Sequence, residues 1–421
     1  MDLRAGRPRR HAACEAHLRP VRDAQSRQDL SGPGPRTPAD GPGRILRRST
    51  LVVDGVRPKR VERPSSAEQL AEILCTAAAA DEAVIPVGGG RALGLGDPPR
   101  RFDVAVETCG LNRVLEMSQA DLTVSVEAGV KLEDLNAELG KVGQFLPVDP
   151  FNSPGHTIGG VLAAALSGPL RLRYGSPRDF TIGLRVALPD GRLASSGGRV
   201  VKNVSGYDLN KLHQGALGSL GVIVAASFKV YPRPLHQVSV QTGAGYLDQA
   251  WTEARRALAL PLPPTALELV PAPDGGFRLH ARFEGSRRGV ERTASDLGWQ
   301  TADEAFWAQH LRQGSGTWAR ISAPPRSLLE LVRSIPAGQR WWCSPGVGVA
   351  HWLDAGDSEQ VLRLRWAAER EGGSLVLLAA PAELKRQVGA WGTPPATLDW
   401  MRRLKDAFDP GHALSPGRYL V

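Results

Sequence analysis

Cysteine is scarce in this 421-residue chain: Cys14, Cys75, Cys109 and Cys343 lie scattered, and no C-x-x-C pair occurs. Such spacing excludes a zinc ribbon or an iron–sulfur cluster assembled from this chain, and separate thiols fit a reducing, cytoplasmic setting. No stretch approaches the ~20 consecutive apolar residues of a membrane-spanning helix. The basic N-terminus lacks the apolar run of a secretory signal. Several catalytic signatures are missing too. Gly140-Lys141 is followed by Val142, so no phosphate-binding G-K-[ST] exists. Leu93 occupies the place where G-x-G-x-x-G from Gly88 would need its last glycine. G-x-S-x-G and H-E-x-x-H are absent.

Positive charge is present but badly distributed for nucleic-acid binding. Residues 1–50 hold eleven Arg against five acidic residues, so about +6 of the net +9 sits there and about +3 remains for the rest. With no basic stripe interleaved with aromatics in the body, a nucleic-acid partner is not expected. The first fifty residues have no apolar periodicity and read as a disordered basic tail, or as an over-extended start. The remaining length suffices for two domains with separate cores. The 47 Gly and 33 Pro follow no period and indicate tight turns rather than a fibrous chain.

Ordered patterning begins near Leu51. Ser65-Ser66-Ala67-Glu68 reads as a capping box, and Leu70, Ile73, Leu74 and Ala77 follow at helical spacing. Ala83 to Val87 reads as a buried strand emptying into Gly88-Gly89-Gly90-Arg91-Ala92-Leu93-Gly94. Val104 to Glu107 and Leu122 to Glu127 read as strands, and Lys131 to Gly140 as a helix. A small-residue helix is expected near 160–167. Leu184 to Leu188, Pro189-Asp190-Gly191 and Arg192 to Ser196 read as a hairpin. Val222 to Val230 is a strand closed by Tyr231-Pro232-Arg233-Pro234, the expected domain boundary. From there to about 380 helices and strands mix without a nameable motif.

Two glycine-rich segments carry chemistry. Three consecutive glycines at 88–90 permit a tight turn whose amides converge on an anion, although an isolated triplet is more readily a plain turn. In Pro150-Phe151-Asn152-Ser153-Pro154-Gly155-His156-Thr157-Ile158-Gly159-Gly160, the last glycines let a helix start approach a phosphate or ring edge, or simply pack tightly on a sheet. Three further segments follow in order: Tyr174-Gly175-Ser176-Pro177-Arg178-Asp179; Gly197-Gly198-Arg199-Val200-Val201-Lys202-Asn203-Val204-Ser205-Gly206-Tyr207-Asp208-Leu209; and Gly215-Ala216-Leu217-Gly218-Ser219-Leu220-Gly221-Val222-Ile223.

That ordered series resembles the FAD-binding domains of the vanillyl-alcohol oxidase (PCMH) type, and the K-N-x-x-G-Y-D-L-x-K-L segment resembles the FAD-binding subunit of glycolate oxidase. Lys405-Asp406-Ala407-Phe408-Asp409-Pro410 and Pro416-Gly417-Arg418 resemble the family's closing motif. The resemblance implies an α+β fold: a two-lobed FAD-binding domain at 51–234, an α+β cap at 235–400, and a segment at 401–421 packing back on the first. It implies non-covalent FAD held by Pro86, Val87, Gly88, Gly89, Gly90, Arg91, Ala92, Leu93, Pro150, Thr157, Ile158, Gly159, Gly160, Ala163, Gly168, Gly175, Ser176, Asp179, Gly221, Val222 and Ile223. Arg91 stands where relatives carry a small hydroxyl residue; it pairs with a phosphate or points to solvent.

The resemblance also implies partners: a larger FAD-linked subunit, an iron–sulfur subunit, and a small hydroxy acid as substrate. Any membrane association would come through those subunits. A stand-alone FAD-dependent oxidoreductase and a scaffold subunit with structural FAD are the alternatives. Catalytic residues are less legible. Relatives often carry H-x-G-D-G-N-x-H in the cap. Here Ser344, Val347 and Val349 replace the first His, the Asp and the Asn, leaving His351 at the end. Two valines can neither ligate a metal nor orient a polar group. Lys202 and Tyr207 are weak catalytic candidates, and His213 and His351 read as structural.

Overall fold

A computed structural model describes residues 51–198, 209–312 and 316–421. The basic N-terminal segment lies outside the described residues, as do Lys202 and Tyr207. Three short strands, β1 (Arg60–Glu62), β2 (Val84–Val87) and β3 (Val104–Glu107), form a parallel sheet in the order β1-β3-β2. The helix Ala67–Ala79 covers it, burying Leu70, Ala71, Leu74 and Ala77. Its cap is one residue later than the capping box implied. Ser66 accepts from the Gln69 amide at 3.1 Å, and Gln69 Oε1 accepts from the Ser65 amide at 2.7 Å. Ser66 is therefore the N-cap, and Gln69 reaches back to the residue before it rather than closing a reciprocal box.

The second lobe is an antiparallel sheet of β4 (Val114–Ser118), β5 (Thr123–Glu127), β7 (Thr181–Ala187), β8 (Leu193–Gly197) and β9 (Val222–Lys229), ordered β4-β5-β9-β7-β8. The hairpin expected around Pro189-Asp190-Gly191 is β7–β8, with Gly191 at φ +84°. The helices Leu132–Gly140 and Ile158–Ala163 pack on this sheet through Leu135, Leu139, Val161 and Leu162. The second helix is shorter than the 160–167 span its composition suggested. Strands β6 (Gln144–Phe145) and β10 (Tyr231–Pro232) pair with each other.

The third sheet has eight antiparallel strands: β11 (His236–Ala244), β12 (Ala266–Pro271), β13 (Phe277–Gly285), β14 (Gln300–Thr301), β15 (Trp318–Ser322), β16 (Trp341–Ser344), β17 (Val349–Leu353) and β18 (Ser374–Ala379), ordered β14-β11-β13-β12-β16-β17-β15-β18. Strand periodicity of two sorts its side chains. Leu267, Leu269, Ala319, Ile321, Cys343, Ala350, Trp352, Leu375 and Leu377 face the helices Leu247–Leu258, Arg287–Leu297 and Ser358–Arg370 in one apolar core. The intervening Glu268, Trp318, Arg320, Trp342, Ser344 and His351 occupy the opposite face. There Trp318 and Trp342 join Leu95 and Phe151 of the first lobes in a separate cluster.

The C-terminus returns to the first sheet. Leu414 bridges Val84 in parallel, with Val84 N to Ala413 O at 2.7 Å and Ser415 N to Val84 O at 2.8 Å. Lys405, fully buried, fastens this return by donating to Asp409 Oδ2 and Ser219 O (each 2.7 Å) and to Leu414 O (2.9 Å). Cys109 and Cys343 are free thiols.

Candidate FAD and substrate site

Strand β2 delivers the chain into the loop at 88–94, which lies against the segment at 155–160. The two approach so closely that side chains are excluded. A Cβ on Gly89 would stand 1.8 Å from the Gly155 carbonyl oxygen, and one on Gly88 would stand 2.2 Å from Thr157 Oγ1. Thr157 in turn caps the helix Ile158–Ala163, accepting from Gly160 N at 3.3 Å. The amides of Gly88 through Leu93 find no acceptor among the described residues. A row of unengaged donors on a loop whose glycines carry no side chains is suited to phosphate oxygens.

The carbonyls of the same loop are taken from below. Arg418 donates to Leu93 O at 2.7 Å, to Leu95 O, and to Asp97 O at 3.3 Å. Lys385 donates to Gly94 O at 2.6 Å. Asp54 neutralises both cations, with Oδ1 2.7 Å from Lys385 Nζ and Oδ2 3.0 Å from Arg418 Nη1; all three side chains are at most 6% exposed. Burial lowers the pKa of both cations, and the Asp54 carboxylate opposes that shift. This clamp fixes the loop's carbonyls inward and leaves its amides toward the groove.

The groove measures about 770 Å³ including its open mouth. Pro86, Gly88, Gly89, Gly90, Arg91, Ala92, Leu93, Thr157, Gly159, Gly160, Ala163, Val222 and Ile223 line it, joined by Thr108, His156, Leu217, Gly218, Ser415 and Arg418. The other expected cofactor residues sit elsewhere. Val87 and Ile158 point into apolar cores. Gly221 packs among Ala187, Leu188 and His213. Pro150 lines neither this groove nor its neighbour, and Gly168 lines the neighbour. Gly175, Ser176 and Asp179 line neither. Asp179 Oδ2 accepts from the Ser176 amide and hydroxyl at 2.7 and 2.8 Å, closing the capping box of the helix Pro177–Phe180.

The neighbouring cavity, about 680 Å³ including its open mouth, shares Arg91, Ala92 and His156 with the groove. It is closed by the polar face of the third sheet: Trp318, Arg320, Ser344, Val349 and His351, with Val347 from the β16–β17 turn. The four positions aligned with the relatives' cap motif thus gather at one cavity, and His351, read from sequence as structural, belongs to its lining. Among the described residues no group of three or more His, Cys, Asp or Glu could hold a metal.

Hydrogen bonds fix two tautomers. Phe151 O can only accept, so His156 Nε2, 2.9 Å away, carries the proton and Nδ1 keeps the lone pair. Trp318 Nε1 can only donate, so His351 Nδ1, 3.0 Å away, is the acceptor and Nε2 carries the proton. Burial lowers both pKa values, that of His351 well below the ordinary histidine range, so both rings are neutral near pH 7. Arg320 Nε is sealed from solvent without a partner. Nearby Glu268 is occupied by Ser344 Oγ and by His310 Nε2 at 3.1 Å.

Beneath the cavity, Asp149 accepts from the Leu170 amide through both oxygens at 3.2 and 3.1 Å. Burial pushes its pKa up to about 8. The folded state therefore holds a proton that the unfolded chain releases near pH ~4. This group's contribution is complete below that pH and is lost as pH rises toward 8. Stability should fall between pH 5 and 8 in thermal melts, and Asp149→Asn should flatten the slope while keeping an acceptor for Leu170.

A glycine-lined groove in two α+β lobes, with an adjoining cavity walled by an antiparallel sheet, is the architecture of an FAD-binding oxidoreductase. A family model described as an FAD binding domain matches residues 58–197. The chain is 30% identical to the glycolate oxidase subunit GlcE of Escherichia coli (strain K12), over 72% of this chain and 84% of that protein. It is likewise 30% identical to subunit GlcD of Bacillus subtilis (strain 168), over 86% and 88%. An alkyldihydroxyacetonephosphate synthase structure shares the fold at TM-score 0.64 and 18% identity, covering 85% of this chain and 77% of that one. The chain belongs to the family of FAD-dependent oxidoreductases that contains these glycolate oxidase subunits. Among the described residues no helix is long and apolar enough to cross a membrane.

Proposed function

We propose that this chain takes part in oxidising a small 2-hydroxy acid, as an FAD-binding subunit of a glycolate oxidase-like complex. A larger FAD-linked subunit and an iron–sulfur subunit would complete it, the latter receiving electrons and providing any membrane contact. The observation that carries the reading is Arg320, a guanidinium with a sealed, unpaired Nε in a cavity whose lining contains no Asp or Glu. A buried cation without a partner is costly, and a carboxylate repays it with charge-assisted hydrogen bonds.

Each side chain then has a defined task. Arg320 holds the carboxylate and so orients the hydroxyl-bearing carbon toward the groove. His156 borders both spaces, and its Nδ1 lone pair is the acceptor for the hydroxyl proton. His351 Nε2–H is a neutral donor for a substrate oxygen. Phe151, Trp318 and Leu378 keep water from the reacting end. Bound FAD supplies the hydride acceptor. Arg91, which lies over Gly155 and borders both spaces, reaches the phosphate side of the groove.

Anaerobic titration with glycolate, D-lactate and longer 2-hydroxy acids, followed at the flavin absorbance bands, tests the reading. Bleaching is expected once the chain is assembled with its two partner subunits. Bleaching of the chain alone would make it a stand-alone oxidoreductase. Flavin that never bleaches in either preparation would overturn the proposed chemistry. Arg320→Leu should raise KM on the order of 100-fold, about 3 kcal/mol of carboxylate binding, with a smaller change in kcat.

A further inference from the structure

The substrate cavity carries more positive charge than one carboxylate needs. Arg320 reaches it from β15 of the cap sheet, and Arg171 reaches it from the helix Arg171–Tyr174 of the first domain. Neither guanidinium has a carboxylate partner among the described residues; Arg171 makes only a 3.5 Å contact to Ser167 Oγ. The two cations repel one another across the cavity. The nearest buried acids do not relieve them. Glu268 is held by Ser344 and His310, and Asp149 by the Leu170 amide. The lining histidines are neutral. With Arg91 assigned to the cofactor's phosphates, two guanidiniums without a carboxylate partner remain, Arg320 half-buried with its Nε sealed and Arg171 exposed at the mouth.

An anion placed between two guanidiniums that face one cavity is attracted by both and relieves their mutual repulsion. We infer that the substrate carries two anionic groups: the carboxylate next to its hydroxyl, held by Arg320, and a second carboxylate or phosphate at its far end, held by Arg171. This rests on the hydroxy-acid reading of the same cavity. It disfavours glycolate and lactate, which bring one negative charge each.

Equilibrium binding separates this inference from the chemistry. The probes are unreactive anions titrated into the FAD-loaded chain and read by the fluorescence of the tryptophans at the cavity. Glutarate and succinate should bind at least ten times more tightly than butyrate and propionate. Arg171→Gln, at an exposed position that leaves the fold intact, should remove that preference and leave monocarboxylate affinity unchanged. Arg320→Leu should weaken both classes. Inorganic phosphate that competes with glutarate in the wild type but not in Arg171→Gln would support the same two-anion site and assign its outer arm to phosphate. Equal affinity for mono- and dicarboxylates, an Arg171→Gln variant that weakens both alike, or no binding by any of these anions would overturn the inference. Discrimination without flavin bleaching by any hydroxy acid would overturn only the oxidation reading. Bleaching with no dianion preference would overturn only this one.

Discussion

Asp54→Asn should cost on the order of 3 kcal/mol of stability and release FAD, although Asp54 touches neither cavity. The substitution keeps the side chain's shape and one acceptor oxygen, and Asn tolerates the φ of +49° found there. What it removes is the charge that Lys385 and Arg418 share. Both are buried to 5% exposure or less, and stripping one partner from a buried ion pair leaves an uncompensated charge, at about 3–5 kcal/mol. The lower end is expected, because Asp97 also faces both cations electrostatically. Denaturant unfolding of the apoprotein would measure the first effect. The second follows from geometry: the same cations hold the carbonyls of Leu93, Gly94 and Leu95, so slackening the clamp lets the loop's amides rotate away from the groove. Flavin retained through gel filtration should fall with it. If the clamp acts as a unit, Asp54→Asn combined with Lys385→Met should be less damaging than the sum of the two single changes. Additive losses would refute the coupling.

How far sequence reaches into this molecule depends on the distance over which each feature is encoded. The turns that build the groove were legible because their determinants are local, Gly88 to Gly90 after a strand and Thr157 to Gly160 opening a helix, but only their order along the chain, through the resemblance, pointed to a cofactor. Neighbouring side chains are excluded there, and glycine spacing records that exclusion directly. Gly175, Ser176 and Asp179 came from the same resemblance, but here Gly175 ends the helix Arg171–Tyr174, and the Asp179 carboxylate is taken up by the Ser176 amide and hydroxyl of the next helix turn. The clamp was not legible, since Asp54 and Lys385 are 331 positions apart and Asp54 and Arg418 are 364 apart. The cap resisted for another reason. Glu268, Arg320 and His351 alternate with apolar neighbours just as solvent-facing residues of a half-exposed sheet would. Only the packing of the first two lobes turns that polar face into a cavity wall.

Gly89→Ala tests the groove itself, and its expected effect is the larger on cofactor binding. The added Cβ would lie 1.8 Å from the Gly155 carbonyl oxygen and 3.0 Å from its carbon. Both are backbone atoms, so no side chain can swing aside. Gly155 has little freedom to retreat, being at φ +106° with the Arg91 side chain against it. The loop must therefore move as a body, and the clamp beneath resists because three carbonyls are pinned. Overpacking of this kind costs about 1–3 kcal/mol, and it falls on the segment whose amides point at the phosphates. FAD affinity should drop roughly 10- to 100-fold, while the melting temperature of the apoprotein changes little if the loop yields by peeling off the 155–160 segment. Gly411→Ala is the matched control: its Cβ would meet nothing within 4 Å and no unusual backbone angle is involved, so flavin content should be unchanged. A Gly89→Ala protein that purifies with full flavin would mean that the cofactor's phosphates are held elsewhere than on this loop.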